Sequence, residues 1–285
     1  MSTANPADRI AISTWSLHRM MGTTYPHDLD SLAITSAQET YGEVNESLLD
    51  IPSAIANHGI NRLEICSFHL PSRDPVYLGE LRDALARVDV QLQTLLIEAG
   101  DISDAATSQR DTDWIAHWVE TANILGAKHA RVIAGKQKPS LEALDLSAKA
   151  LASLADRNAG GTTRLVVENW FDLLPKPAQV NDLLDRLDGR VGLNADFGNW
   201  SGPNKYADLS AIFGRAELCH AKASFKDGQM DEGDYAQCLS AAEEAGYAGP
   251  YTLIFDAETP SEWDGIAIEK TFVEEQLTLA ATPAE

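Results

Sequence analysis

The sequence predicts an α/β fold, a single (β/α)8 barrel, and three observations predict it. Eight short β-like runs alternate with amphipathic helical stretches from end to end. The chain has 285 residues, 44% of them hydrophobic, which suits the roughly 250 residues that one such barrel needs. No Pro/Gly/Ser-rich linker or low-complexity stretch interrupts it, so residues 1–285 read as one domain.

The β-like runs are 10–14, 62–67, 91–97, 129–134, 164–168, 191–196, 216–222 and 251–256. Between them lie segments with apolar residues at helical spacing. In 114–125 these are Ile115, Trp118, Val119, Ala122 and Leu125. In 140–156 Ser140 is placed to cap, and Leu141, Leu144, Ala148, Leu151 and Leu154 line one face. Gly59 and Gly246 stand where a helix needs a left-handed cap before the next strand. Strict alternation of strand and helix predicts a parallel sheet, and eight strands predict closure. A doubly wound open sheet would carry a Gly-rich phosphate turn after its first strand, and Trp15-Ser16-Leu17-His18-Arg19 has none.

The interval between the first two runs is the longest. With one helix over 46–58 subtracted, residues 18–45 remain as a long loop leaving strand one. Loops that leave barrel strands lie on the catalytic face, so this segment is expected to act as a lid; a mobile decoration is the alternative.

Composition narrows the function classes. The formal net charge is −21, from 43 acidic and 22 basic residues, which disfavours nucleic acid as a partner. No apolar run approaches the roughly 18 residues of a membrane span, and the N-terminal nine residues lack the apolar core of a signal peptide. Cys66, Cys219 and Cys238 show no paired metal-type spacing and read as reduced thiols of a cytoplasmic protein.

Side chains on a strand alternate faces, so parity tells which residues enter the barrel. In Arg164-Leu165-Val166-Val167-Glu168 the apolar Leu165 and Val167 suit the helix side, which turns Glu168 inward. The same argument turns Asp196 inward above Asn194 and Gly192. In Leu218-Cys219-His220-Ala221-Lys222 it turns His220 and Lys222 toward the axis. Three neighbouring strands thus end in Glu, Asp and His. Two carboxylates and an imidazole suit Mn²⁺, Mg²⁺, Co²⁺ or Zn²⁺.

Ser13-Thr14-Trp15-Ser16-Leu17-His18, Leu63-Glu64-Ile65 with His69, Val167-Glu168-Asn169, Asp196-Phe197-Gly198-Asn199, His220-Ala221-Lys222 and Gly246-Tyr247-Ala248-Gly249-Pro250 occur in this order. With them the chain resembles, over nearly its whole length, the xylose-isomerase-like TIM barrel superfamily of sugar and sugar phosphate isomerases and epimerases. The resemblance implies a divalent metal held by Glu168, Asp196 and His220. The family's fourth ligand, a glutamate, falls on Ile254 here. Asp256 shares its parity, so Asp256 or water is expected to complete the shell, and the metal is expected to be weakly held.

The resemblance further implies a small-molecule sugar or polyol substrate and proton transfer beside its carbonyl, with Glu168 as base. Lys222 would stabilise an enediolate or meet a substrate anion; a structural pairing with Glu64 or Asp196 is its alternative. His69 is a candidate for substrate hydroxyls, or else a structural histidine. Trp15, Trp170 and Trp200 follow strand ends and are candidates to stack on a sugar, with plain packing as the alternative. Asn199 stands close to where several relatives carry a histidine. A lyase or dehydratase acting on a keto-sugar or keto-inositol would use the same site. A metal-free sugar-binding relative is the reading from another class. DNA repair by an endonuclease of this barrel would need a richer His/Asp/Glu cluster than seven histidines in an acidic chain supply. Oligomeric state, including a homo-oligomer, is open from sequence.

Overall fold

The computed structural model describes residues 6–42 and 46–281. Eight parallel strands close into a barrel in the order β1-β10-β7-β6-β5-β4-β3-β2. They are β1 (Ile10–Ser13), β2 (Arg62–Cys66), β3 (Gln91–Leu96), β4 (His129–Arg131), β5 (Arg164–Glu168), β6 (Gly192–Asp196), β7 (Ala216–Ala221) and β10 (Tyr251–Leu253). A short antiparallel hairpin, β8 (Phe225–Lys226) and β9 (Gln229–Met230), follows β7. The expected runs are all present. Those of β4 and β10 are shorter than expected, and β1 passes at Thr14 into a 3-10 turn.

The helices are α1 (His18–Met21), α2 (Ile51–Asn57), α3 (Pro75–Arg87), α4 (Ser108–Leu125), α5 (Leu141–Arg157), α6 (Pro177–Leu187), α7 (Lys205–Phe213), α8 (Glu232–Glu244) and α9 (Glu262–Ala281). Their starts follow local chemistry. Ser140 Oγ accepts from the Ala143 amide at 3.0 Å, and Asp74 caps α3 with Pro75 in its first turn. The helix expected from residue 46 begins at Ile51, because Pro52 has no amide to donate and fits only a first turn. Gly246 has φ +81°, as a left-handed cap requires. At Gly249 a Cβ would lie 2.5 Å from the Glu217 carbonyl oxygen, so only glycine lets the chain enter β10 there.

The outward faces of the strands and the inward faces of the helices share one apolar core, with Leu63, Leu95, Leu165, Val167, Leu193 and Cys219 on the strand side. Each fully buried aliphatic side chain contributes roughly 1.5–3 kcal/mol. All three cysteines are buried free thiols. No described helix is long and apolar enough to cross a membrane.

The long segment after β1 is tied down over the carboxyl ends of β2 and β3; its last three positions, 43–45, lie outside the described residues. The Tyr25 amide donates to Phe68 O at 2.7 Å, and Trp114 Nε1 donates to Ser31 O at 3.1 Å. Arg110 pairs with Asp30 at 3.0 Å, and His27 Nε2 lies 2.6 Å from Ser67 Oγ. Burial, aided by the charge of Arg73, lowers the His27 pKa from 6.5 to about 4. A histidine kept neutral in the fold contributes stability above pH 6.5 that is lost as pH falls toward 4, on the order of 3 kcal/mol at most. Protection factors of the amides across residues 23–41, which correct for the intrinsic slowing of exchange in acid, are therefore expected to fall over that window, and His27→Gln to flatten the response. Protection factors that do not change with pH in the wild type would refute this.

Candidate active site

The inward side chains at the strand ends line a cavity of about 350 Å³. On its floor Glu168, Asp196 and His220, each about 95% buried or more, offer one ligand atom apiece, all within 4.8 Å of one another. Register explains the convergence: Asp196 pairs with His220 across β6 and β7, and Glu168 stands beside Asn194, one inward layer below Asp196.

Each of the three has one polar atom anchored by the protein and the other turned to the shared point. Asp196 Oδ1 accepts from the amides of Gly198 at 2.6 Å and Asn199 at 2.9 Å, which leaves Oδ2 facing His220 Nδ1 at 3.5 Å. Glu168 Oε1 accepts from Asn199 Nδ2 at 2.7 Å, which leaves Oε2 at 3.6 Å from His220 Nδ1. His220 Nε2–H donates to buried Glu64 Oε2 at 2.9 Å, which leaves Nδ1 as the inward atom. Asn169 fastens the end of β6 by accepting from the Asp196 amide at 2.7 Å.

The donor set fits a divalent cation. Two carboxylate oxygens and one imidazole nitrogen face one another, and a carboxylate behind the imidazole sets its orientation, as in many metal sites. Glu168 Oε2 is buried and accepts no well-formed hydrogen bond. Glu64→Gln is expected to weaken Mn²⁺ binding roughly 10- to 100-fold by calorimetry, with the fold retained. Unchanged affinity would show that His220 needs no such orientation.

Two residues that sequence reasoning missed complete the floor. Arg131, 2% exposed at the end of β4, places Nε 3.1 Å from Glu168 Oε2 and Nη2 2.5 Å from Glu98 Oε1. The signal was present, since a charged residue inside His129-Ala130-Arg131-Val132-Ile133 has inward parity. Burial alone would raise the Glu168 pKa, but the charges of His220 and Arg131 and the hydrogen bond from Asn199 outweigh it and hold Glu168 ionised. Burial opposes a charge on His220 as well, yet Glu168 and Glu64 raise its pKa well above the ordinary value.

The other candidates divide. Lys222, Asn199, Trp15 and Trp170 line the cavity, and Ile254 lines it where the fourth carboxylate was expected. Lys222 Nζ pairs with Asp256 Oδ2 at 2.7 Å, so its partner is neither Glu64 nor Asp196. Asp256 therefore stands apart from the ligand group: β10 ends at Leu253, and its carboxylate is committed to Lys222. Trp170 stacks over the Arg131 guanidinium at 5.0 Å. Trp200 does not face the cavity; the turn after Asp196 carries it into the barrel–helix core, where Nε1 donates to Leu174 O at 3.1 Å. His69 is 1% exposed behind Thr14, with Nδ1 2.9 Å from Thr14 Oγ1, and is not part of the cavity wall.

A closed β/α barrel with a carboxylate–carboxylate–imidazole group at its strand ends defines a class of enzyme-type scaffolds. Residues 52–276 match the family model described as xylose isomerase-like TIM barrel, and the chain belongs to that family. Among solved structures, it is similar to a xylose isomerase-like TIM barrel protein from Mycobacterium smegmatis in complex with magnesium. That match has a TM-score of 0.69 and 15% identity, over 96% of this chain and 98% of the other. A D-tagatose 3-epimerase-like protein superposes with a TM-score of 0.67 and 15% identity over 95% and 98% of the two chains. An L-ribulose 3-epimerase superposes with a TM-score of 0.67 and 18% identity over 95% of each. No curated protein matches the chain by sequence.

Proposed function

We propose that the protein is a metal-dependent enzyme of the isomerase and epimerase type, moving a proton beside the carbonyl of a sugar or polyol derivative. One observation carries this reading: Glu168, Asp196 and His220 each have one atom anchored by the protein and the other aimed at a common point. The similarity in fold to structures named as 3-epimerases and to a magnesium complex supports it.

Glu168, Asp196 and His220 would hold the cation. When bound, it supplies a Lewis acid for the carbonyl and neighbouring hydroxyl oxygens, which acidifies the C–H between them. Arg131, 3.1 Å from its Oε2, keeps Glu168 ionised and therefore free to accept that proton, at some cost in basicity. Lys222, held by Asp256, donates toward the enediolate oxygen from the cavity mouth. Trp15 and Trp170 present ring surface to the apolar face of the substrate and limit water.

Ile254 shapes the reaction. It removes one negative charge from the site and a second proton-transfer group from the cavity wall. We therefore propose one-base chemistry, in which Glu168 returns the proton to the neighbouring carbon while the hydroxyl proton passes between the two enediolate oxygens, giving aldose–ketose isomerisation. Loss of a leaving group from the same enediolate would make the enzyme a lyase, and product analysis separates the two. Ile254→Glu is expected to tighten Mg²⁺ binding about tenfold or more. If the wild type already keeps stoichiometric metal through dialysis and the variant binds no tighter, Ile254 does not occupy a ligand position. The reading as a whole is tested by incubating Mg²⁺-loaded protein with a panel of ketoses and aldoses in D₂O. Deuterium entry beside the carbonyl, abolished by chelation, is the expected result.

A further inference from the structure

Beside the strand-end cavity lies an open groove of the same volume, about 350 Å³. Trp15, Phe68 and Glu98 belong to the walls of both, so the two spaces adjoin. The outer wall of the groove comes from the long segment after β1, through Thr24, Thr40 and Tyr41. We propose that this groove is a second subsite, holding a neutral ring joined to the reacting sugar, so that the substrate is a glycoside rather than a free monosaccharide. The inference rests on the sugar reaction proposed above and deepens it.

The chemistry of the groove selects the ring. Trp15 meets both Tyr41 and Phe68 nearly edge-on, with ring centroids 6.2 Å apart, and stacks on His18 at 4.6 Å. Three aromatic rings in a corner offer flat apolar surface, which suits the C–H face of a pyranose or a planar aromatic ring. The hydroxyls of Thr24 and Thr40, hydrogen-bonded to each other, supply acceptor lone pairs at the same place. No lysine or arginine is among the described residues that line the groove, and Glu98 contributes a carboxylate, in a chain of net charge −21. A phosphate or carboxylate tail would meet repulsion there, whereas a neutral ring would not.

The wall is already in place. Thr24 and Gln38 exchange backbone hydrogen bonds at 2.9 Å, and Arg73 donates to Leu32 O at 3.2 Å while holding Thr121 and His117 O on α4. With Tyr25, Ser31 and His27 also fastened, little ordering cost falls on the protein when a ring enters.

The test uses calorimetry on the full Mg²⁺-loaded chain with D-fructose, three disaccharides that keep a free fructose carbonyl (turanose, lactulose and isomaltulose) and fructose 6-phosphate. At least one of the glycosides is expected to bind roughly tenfold more tightly than fructose. Such a gain assigns a sugar ring to the groove. Tyr41→Ala is expected to erase that gain and leave fructose affinity unchanged. Equal binding of fructose and every glycoside, or a larger gain from fructose 6-phosphate, would overturn the second subsite. So would a Tyr41→Ala variant that weakens fructose and glycosides alike. The failures are distinguishable: if fructose binds without a ring advantage, only the subsite falls, whereas if no sugar binds or exchanges its C–H, the proposed reaction falls with it.

Discussion

Glu168→Gln is expected to slow proton transfer by roughly 10²- to 10⁴-fold, the range for loss of a positioned general base. The substitution keeps the shape of the side chain and removes its charge. Asn199 Nδ2 now donates to Oε1 at 2.7 Å and Arg131 Nε lies 3.1 Å from Oε2. A neutral amide can still accept from Asn199, but it can neither take the proton nor balance Arg131. The loss should appear in kcat, measured as deuterium wash-in beside the carbonyl. KM for the substrate should rise only as far as the cation is lost. Measuring Mn²⁺ affinity in parallel separates the two roles. A variant that retains wild-type exchange would remove Glu168 from the chemistry and leave Asp256, beside Lys222, and Glu98, beside Arg131, as the carboxylates outside the ligand group among the described residues lining the cavity.

The second large effect concerns stability. Arg131→Met is expected to destabilise the metal-free protein by about 3–5 kcal/mol, because removing one partner of a buried ion pair leaves the other charge uncompensated. Arg131 is 2% exposed and lies between Glu98 and Glu168, whose side chains are 11% and 5% exposed. Methionine fills much of the volume and packs against Trp170, where the guanidinium now stacks. A divalent cation binding at Glu168 would restore positive charge beside one of the two carboxylates. Added Mg²⁺ should therefore raise the melting temperature of the variant more than that of the wild type. Equal shifts would mean that Arg131 and the cation do not share Glu168.

Much of this protein is legible one residue at a time. The alternation of β-like runs with helical periodicity is a local pattern, and it set the number, order and parallel direction of the strands. Parity then told which side of each strand faces the axis, which is why Glu168, Asp196 and His220 could be named before any contact was known. Gly246 and Ser140 were readable for the same reason, since a cap depends on its own backbone and a few neighbours. Arg131 obeys the same parity rule, but a lone basic residue in a strand does not say that Glu98 and Glu168 will flank it.

What the chain could not declare by itself is how residues distant in sequence divide the available partners. Lys222 had several carboxylates within reach of its strand, and only the placement of the loop after β10 gives it Asp256 rather than Glu64 or Asp196. That same pairing takes Asp256 away from the ligand group. Trp200 follows a strand end as Trp170 does, yet the turn at Gly198 and Asn199 sends it into the core, where Leu174 O accepts its N–H. Glu64 and His220 are 156 residues apart, and their hydrogen bond exists only because the barrel closes. Periodicity is a property of a strand or helix and survives in the sequence. The choice among competing partners is a property of distances across the closed barrel, where a few ångströms decide which charge a lysine meets and which way an indole turns.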